Sequence, residues 1–181
     1  MPKYRRIKAE GGAYFFTVNT EKRRPILTNA LIRQALRDAI ITTRKTLPFK
    51  IEAWVLLPNH LHTIWTLPEE DANFSSRWAM IKQYVTKACP PLVYPEKVSQ
   101  SKKGRKEGSI WQRRFWEHLI RDDDDFAKHM DYIHWNPVKH GYVPRVIDWP
   151  YSTFHKLVAQ GVYPPGWGGC VESLDEANFG E

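Results

Sequence analysis

The sequence predicts an α+β fold with the order β-α-β-β-α-β and one additional helix towards the C-terminal end. Three observations predict it. Apolar residues switch between a period of two and a period near 3.6 along the chain. Pro, Gly and Asn clusters punctuate the periodic runs. A further helical stretch follows the fourth apolar run and an acidic cluster.

The opening residues Met1 to Lys8 are basic and aromatic, and Gly11-Gly12 separates them from Ala13 to Asn19 (AYFFTVN). Aromatic and β-branched enrichment makes that run a strand. A charged turn, Glu21 to Pro25, leads to a helix from about Asn29 to Thr46. Its residues Leu31, Ala35, Leu36, Ala39 and Ile40 recur at helical spacing, Asn29 suits the N-cap, and Pro48 ends it. Phe49 to Leu57 (FKIEAWVLL) predicts a second strand. The Pro58-Asn59 turn joins it as a hairpin to a third, His60 to Leu67 (HLHTIWTL). Phe74 to Cys89 predicts a second helix with Trp78, Ile81, Val85 and Ala88 on one face and Ser75 or Ser76 as its cap. From Pro90 to Gly108 three prolines, Ser, Gly and Lys102-Lys103-Gly104-Arg105-Lys106 predict a long basic loop. A fourth strand is expected near Phe115 to Arg121. The acidic run Asp122 to Asp125 then complements the N-terminal dipole of a third helix, Phe126 to about Trp135. Asn136-Pro137 ends that helix or makes its last turn irregular. A short helix near Ser152 to Gln160 and a Gly/Pro-rich stretch complete the chain. This order is that of the split βαβ, ferredoxin-like arrangement, shared with RRM domains. Residues 1–181 are expected to form one domain, with a basic loop at 90–108 and a tail at 144–181.

Composition narrows the function. Of 181 residues 42% are hydrophobic, which excludes a disordered chain. A net charge of +7 suits an acidic partner, above all nucleic acid. Eight Trp, eight Tyr and eight Phe serve a core and, beside Arg and Lys, suit stacking on unpaired bases. Cys89 and Cys170, the only cysteines, are too few for a disulfide framework or a Cys-based zinc site and are expected as free thiols. No apolar run is long enough to cross a bilayer, and the basic start lacks the apolar stretch of a signal peptide. A cytoplasmic, nucleoid-associated protein is expected.

Two constellations carry chemistry. In His60-Leu61-His62, residues i and i+2 of a strand point to one face, so both imidazoles project together while Leu61 enters the core. Two rings so placed are within reach of one cation. Two exposed histidines on a strand give the same spacing, but the apolar surroundings make that placement costly. Tyr132 and Asn136 are four apart and share a face if the third helix persists. Asn136 then offers an amide oxygen beside the Tyr132 phenol, although a packing tyrosine and a C-terminal cap have the same spacing. A phenol with an unperturbed pKa near ~10 needs a nearby cation or base to attack a phosphodiester at neutral pH. A divalent ion offsets charge on the non-bridging phosphate oxygen. Two imidazoles and an amide suit Mg²⁺ or Mn²⁺ shared with substrate phosphate, Mn²⁺ matching imidazole better.

The segments LPNHLHTIWTLP (Leu57 to Pro68), FSSRWAMIKQ (Phe74 to Gln83), IWQRRFWEHLIRD (Ile110 to Asp122) and MDYIHWNPVKHGYV (Met130 to Val143), in this order, resemble the REP-associated tyrosine transposases, relatives of the HUH single-tyrosine transposases. The similarity runs from about Tyr4 to His155. It implies a ferredoxin-like core with His60 and His62 as metal ligands on a central strand and Tyr132 as the nucleophile on a following helix. The nucleophile forms a 5′-phosphotyrosine link and leaves a free 3′-OH. Asn136 stands where related transposases carry a Gln as third ligand. The implied substrate is single-stranded DNA bearing a repetitive extragenic palindrome hairpin with a short tetranucleotide at its foot. The resemblance also implies a monomer, related transposases being dimers.

For DNA contacts, Tyr4, Arg5 and Arg6 form an arm suited to the tetranucleotide. Lys102, Lys103 and Arg105 suit a hairpin backbone, and Arg113, Arg114 and Lys139 suit phosphates next to the site. His140 is an auxiliary candidate for proton transfer. His129, at i−3 of the tyrosine, is expected as a satisfied helix histidine, and His134 falls off that face. Trp111 and Trp116 are expected in the core, and Trp149, Tyr151 and Phe154 over the core or a DNA channel. A hairpin-binding regulator without catalysis and an RNA-binding module on the same topology are the rival functions. No RNP-type aromatic strand favours the latter.

Overall fold

A computed structural model describes residues 9–90 and 110–168. Its elements are β1 (Ala13–Asn19), α1 (Ala30–Thr46), β2 (Lys50–Leu56), β3 (His60–Thr66), α2 (Phe74–Ala88), β4 (Trp116–Leu119), α3 (Asp123–Lys139) and α4 (Phe154–Ala159). The four strands form one sheet in the order β2-β3-β1-β4, each neighbouring pair antiparallel. The expected ferredoxin-like order is therefore present. The arm at Tyr4, Arg5 and Arg6, the basic loop with Lys102, Lys103 and Arg105, and Cys170 lie outside the described residues. Cys89 is a buried free thiol.

Strand alternation divides the core in two. Tyr14, Phe16, Val18, Leu61 and Trp65 meet Ile32, Leu36, Trp78 and Ile81 of α1 and α2 on one face. Phe15, Val55 and Ile64 meet Met130, Tyr132 and Ile133 of α3 on the other. Helices thus cover both faces, and the central strands β1 and β3 are buried almost throughout. A bulge between Ile51 and Ala53 interrupts the β2–β3 register.

The helices differ from expectation in instructive ways. Asn29 caps α1 as predicted, its side chain accepting from Leu31 N at 2.9 Å. Leu31, expected on the core stripe, is 44% exposed, because Ile32 takes the inward position one residue on. Asn73, rather than Ser75 or Ser76, caps α2: its Oδ1 accepts from Ser76 N at 3.1 Å and its Nδ2 donates to Ser76 Oγ at 2.9 Å. Asp122 caps α3 by accepting from Asp125 N at 2.8 Å, so the helix starts three residues earlier than expected, inside the acidic run. It also continues past Trp135, through Pro137, to Lys139. A Schellman motif closes it: Gly141, at φ +70°, donates to Val138 O and Tyr142 N to Pro137 O, both at 2.9 Å.

The open edge of β2 is covered by the chain itself. Leu56 N donates to Tyr151 O and Thr153 N to Trp54 O, both at 2.9 Å. Trp54 N donates to Thr153 Oγ1 at 2.8 Å and Trp149 Nε1 to Leu56 O at 3.0 Å. This segment explains the aromatic residues Trp149 and Tyr151, which line that edge.

A fully buried Arg77 ties α2 to its surroundings. The guanidinium donates to Asp71 Oδ2 and Pro48 O at 2.7 Å and to Asn73 O at 2.8 Å. It holds the Asp71 carboxyl below the usual aspartate range. Truncation strands one carboxylate and two carbonyls, so Arg77→Met is expected to lower unfolding free energy by about 3 kcal/mol in urea titrations. A change below about 0.5 kcal/mol would show that this clamp is not structural.

Candidate active site

His60 and His62 occupy the first and third positions of β3 and face α3, while Leu61 enters the opposite core. Both imidazoles are buried, with ring centroids 4.8 Å apart and planes at 81°. Each is oriented through Nδ1. Asn59 Oδ1 accepts from His60 Nδ1 at 2.6 Å, which leaves the lone pair of that neutral ring on Nε2. Thr17 Oγ1, directly across the β1–β3 ladder, shares a 2.9 Å hydrogen bond with His62 Nδ1. Phe15 stacks on His62 at 5.4 Å.

α3 brings the tyrosine to this pair. The Tyr132 ring lies 5.3 Å from that of His62 and the His140 ring 5.2 Å from that of His60. Asn136 sits midway between those two helix positions, on the same face and fully buried, as is its Oδ1. Tyr132 is only 1% exposed. Lys139, one helical repeat further on, lies over the ring at 5.0 Å and donates from Nζ to the phenol oxygen at 3.2 Å. The Tyr132 ring thus meets the His62 imidazole, and its hydroxyl meets an ammonium.

This donor set fits a divalent cation. Nδ1 of each imidazole is engaged by a hydrogen-bonding side chain, the arrangement that aims Nε2 at a metal and fixes ring orientation. The buried Asn136 oxygen is of the same neutral, hard character as ligands of Mg²⁺ and Mn²⁺.

A second group of ligand-type side chains, His118, Asp125 and His129, brings one donor atom each within 4.8 Å of the others. Its hydrogen bonds are those of a clamp on the first turn of α3. Asp125 Oδ2 accepts from His118 Nε2 at 2.8 Å, Arg121 Nε at 3.0 Å and Arg121 N at 3.1 Å. His129 Nδ1 donates to the Asp125 carbonyl at 2.7 Å and lies 3.2 Å from Asp125 Oδ1, which holds this ring on its own helix. His134 faces α4 instead, its Nε2 3.1 Å from Thr153 Oγ1, and burial pulls its pKa down to about 3.

Of the expected phosphate contacts, Arg113 and Arg114 are exposed on the segment before β4, and Lys139 is at the tyrosine. Trp111 is buried as expected. Trp116 is only half-buried and lines a cleft of about 290 Å³ with Asn19, Gln112, Arg114 and Phe115. Sequence reasoning missed Thr17 and Asn19. The signal was available, since Phe15, Thr17 and Asn19 alternate on β1 as His60 and His62 do on β3. It also missed a cleft of about 540 Å³ between α1 and residues 150–156, whose lining includes Arg33, Arg37, Arg44, Lys50 and Lys156 and no acidic side chain. Among the described residues no helix is long and apolar enough to cross a membrane.

Comparison with known proteins bears on these features. The chain is 51% identical over 171 residues, 94% of its length and 93% of the relative's, to the REP-associated tyrosine transposase of Escherichia coli K12. It is 44% identical over 169 residues, 93% of its length and 94% of the relative's, to a Haemophilus influenzae protein assigned to the same family. A solved structure of a REP-associated tyrosine transposase bound to a REP hairpin superposes with a TM-score of 0.83 at 48% identity, covering 100% of this chain and 98% of that one. No protein-family model matches the chain.

Burial opposes ionisation of Asp125, but hydrogen bonds from Arg121 and His118 outweigh it and hold the carboxyl far below its ordinary value of 3.8. A depressed folded-state value stabilises the ionised form. The contribution is therefore complete above 3.8 and is lost as pH falls below it. Asp125→Asn is expected to cost about 1–3 kcal/mol at pH 7 in urea titrations, with the gap to wild type narrowing towards pH 2. A gap that stays constant over that range would refute the assignment.

Proposed function

Because the chain belongs to the REP-associated tyrosine transposases, we propose that it is a metal-dependent transesterase that nicks and rejoins single-stranded DNA at REP-type hairpins through Tyr132. The observation that carries this reading is the convergence of the Tyr132 phenol, the Lys139 ammonium and the His60–His62 pair in one buried patch. His60, His62 and Asn136 would hold Mg²⁺ or Mn²⁺, which supplies positive charge to the non-bridging oxygen of the scissile phosphate.

The chain's own residues do the rest. Thr17 and Asn59 fix the imidazoles. α3 holds the phenol rigidly, which limits the motion needed for in-line attack. The Tyr132 oxygen bonds to phosphorus and the bond to the 3′ oxygen breaks, giving a 5′-phosphotyrosine and a free 3′-OH. Attack by another 3′-OH reverses the step and rejoins the strand. Lys139 stabilises negative charge on the phenol oxygen as its proton leaves, and as tyrosine departs in the reverse step. His140, whose ring meets that of His60, is assigned the auxiliary proton-carrying role. Arg113 and Arg114 are assigned to backbone phosphates. The arm residues Tyr4, Arg5 and Arg6 and the loop residues Lys102, Lys103 and Arg105 keep their proposed parts in hairpin binding. Residues 1–181 act as one unit, as a monomer in the cytoplasm.

Incubation with a labelled hairpin carrying a single-stranded flank and Mn²⁺ is expected to give a covalent adduct on a denaturing gel. The adduct is lost in Tyr132→Phe and with chelator, and forms about 10²-fold more slowly in Lys139→Ala. A native gel shift without any adduct would instead favour the non-catalytic regulator, and preference for an RNA competitor the RNA-binding module.

The cleft beside α1 suits the phosphates of the hairpin stem, since cations alone charge its lining. Exchanging both Arg37 and Lys156 for Ala is expected to weaken hairpin binding and to flatten the plot of log affinity against log salt by about 2. An unchanged slope places the stem elsewhere.

A further inference from the structure

The end of the sheet beside the histidine pair holds a small cleft with a built interior. Asn19, the last residue of β1, pairs directly with His60 across the ladder, so the two side chains leave the sheet on the same face, about 5 Å apart at Cβ. Asn19 is 8% exposed. Its Oδ1 is buried and accepts no hydrogen bond among the described residues, a costly state for an amide oxygen. The cleft it lines measures about 290 Å³ and is completed by Gln112, Arg114, Phe115 and Trp116. Backbone geometry fixes this group, because Gln112 N donates to Asn19 O at 3.0 Å and Thr20 bridges to Trp111. Trp116 pairs with Thr17, whose hydroxyl orients His62.

The chemistry of this lining selects its ligand. A buried carbonyl oxygen needs a donor, and a phosphodiester has none, so Asn19 does not read backbone. A nucleobase presents amino or imino N–H groups at its edge and a flat face for stacking. The Trp116 side chain, on the same face as Thr17, and a second amide, Gln112, complement both features. Arg114, exposed at the rim, offers a guanidinium suited to the phosphate attached to such a base. The volume lies just below the range for small-ligand pockets, about 300–1,000 Å³, and fits one base rather than a base pair.

We infer that this cleft is a single-nucleotide subsite, in which Asn19 and Gln112 bind the edge of one unpaired DNA base next to the phosphate attacked by Tyr132, with Trp116 against its face and Arg114 on its phosphate. The inference rests on the strand-transfer reading above. It makes Asn19 a substrate-reading residue that sets which nucleotide lies beside the cut.

The test uses the full-length protein and hairpins with single-stranded flanks in which 2-aminopurine, or an abasic site, is moved one position at a time. One flank position is expected to lose its 2-aminopurine fluorescence on binding, and an abasic site there to weaken binding about tenfold. Asn19→Ala and the surface variant Arg114→Ala should each reduce that abasic penalty, while penalties at the other positions persist. Circular dichroism melts establish that both variants fold. Adduct formation with no quenched position, or with abasic penalties that neither variant changes, overturns the subsite and leaves the strand-transfer reading standing. Absence of both hairpin binding and adduct overturns the two together.

Discussion

β3 is packed on both faces, yet it carries two imidazoles in its first three residues, and the site is organised around that constraint. A buried ring nitrogen is tolerated only where a partner meets it. Neighbouring positions supply the partners: Thr17 across the ladder for His62, and Asn59 in the preceding turn for His60. Those hydrogen bonds also fix the direction in which each ring presents its other nitrogen. Stability and ring orientation therefore come from the same pair of contacts, and Thr17 on β1 is as much a part of this arrangement as the histidines are.

α3 is the second half of the device, and it is pinned at both ends. The Asp122 cap and the Asp125 clamp to His118 and Arg121 fix its first turn. The Schellman closure at Gly141 fixes its last. Tyr132 lies between these anchors, against Phe15 and His62. Pro137 removes one intrahelical donor within the final turns without ending the helix. The turns that carry Asn136, Lys139 and His140 keep their common face towards the sheet.

Periodicity made most of this legible. The strand pattern of AYFFTVN and HLHTIWTL, the Asn29 cap and the helical spacing of Tyr132 and Asn136 all express local rules, and the structure follows them. What escaped was non-local. Arg77 looks like a surface residue of an amphipathic helix until the Pro48 and Asp71 loops close over it. The far end of α3 was hidden because Pro137 is a stop signal in isolation, whereas packing against β2 and β3 carries the helix through. Thr17 and Asn19 carried the same alternation as the histidines, but their importance appears only when the β1–β3 register sets them opposite His62 and His60. The basic cleft joins residues more than a hundred positions apart, which no local pattern reveals.

Residues 151–153 lie along β2 where a neighbouring molecule's strand would otherwise dock. Sheet-to-sheet fusion of two copies along that border must first peel away this stretch, breaking its hydrogen bonds to Trp54 and Leu56 and uncovering Trp149. Along that border the protein acts as its own plug.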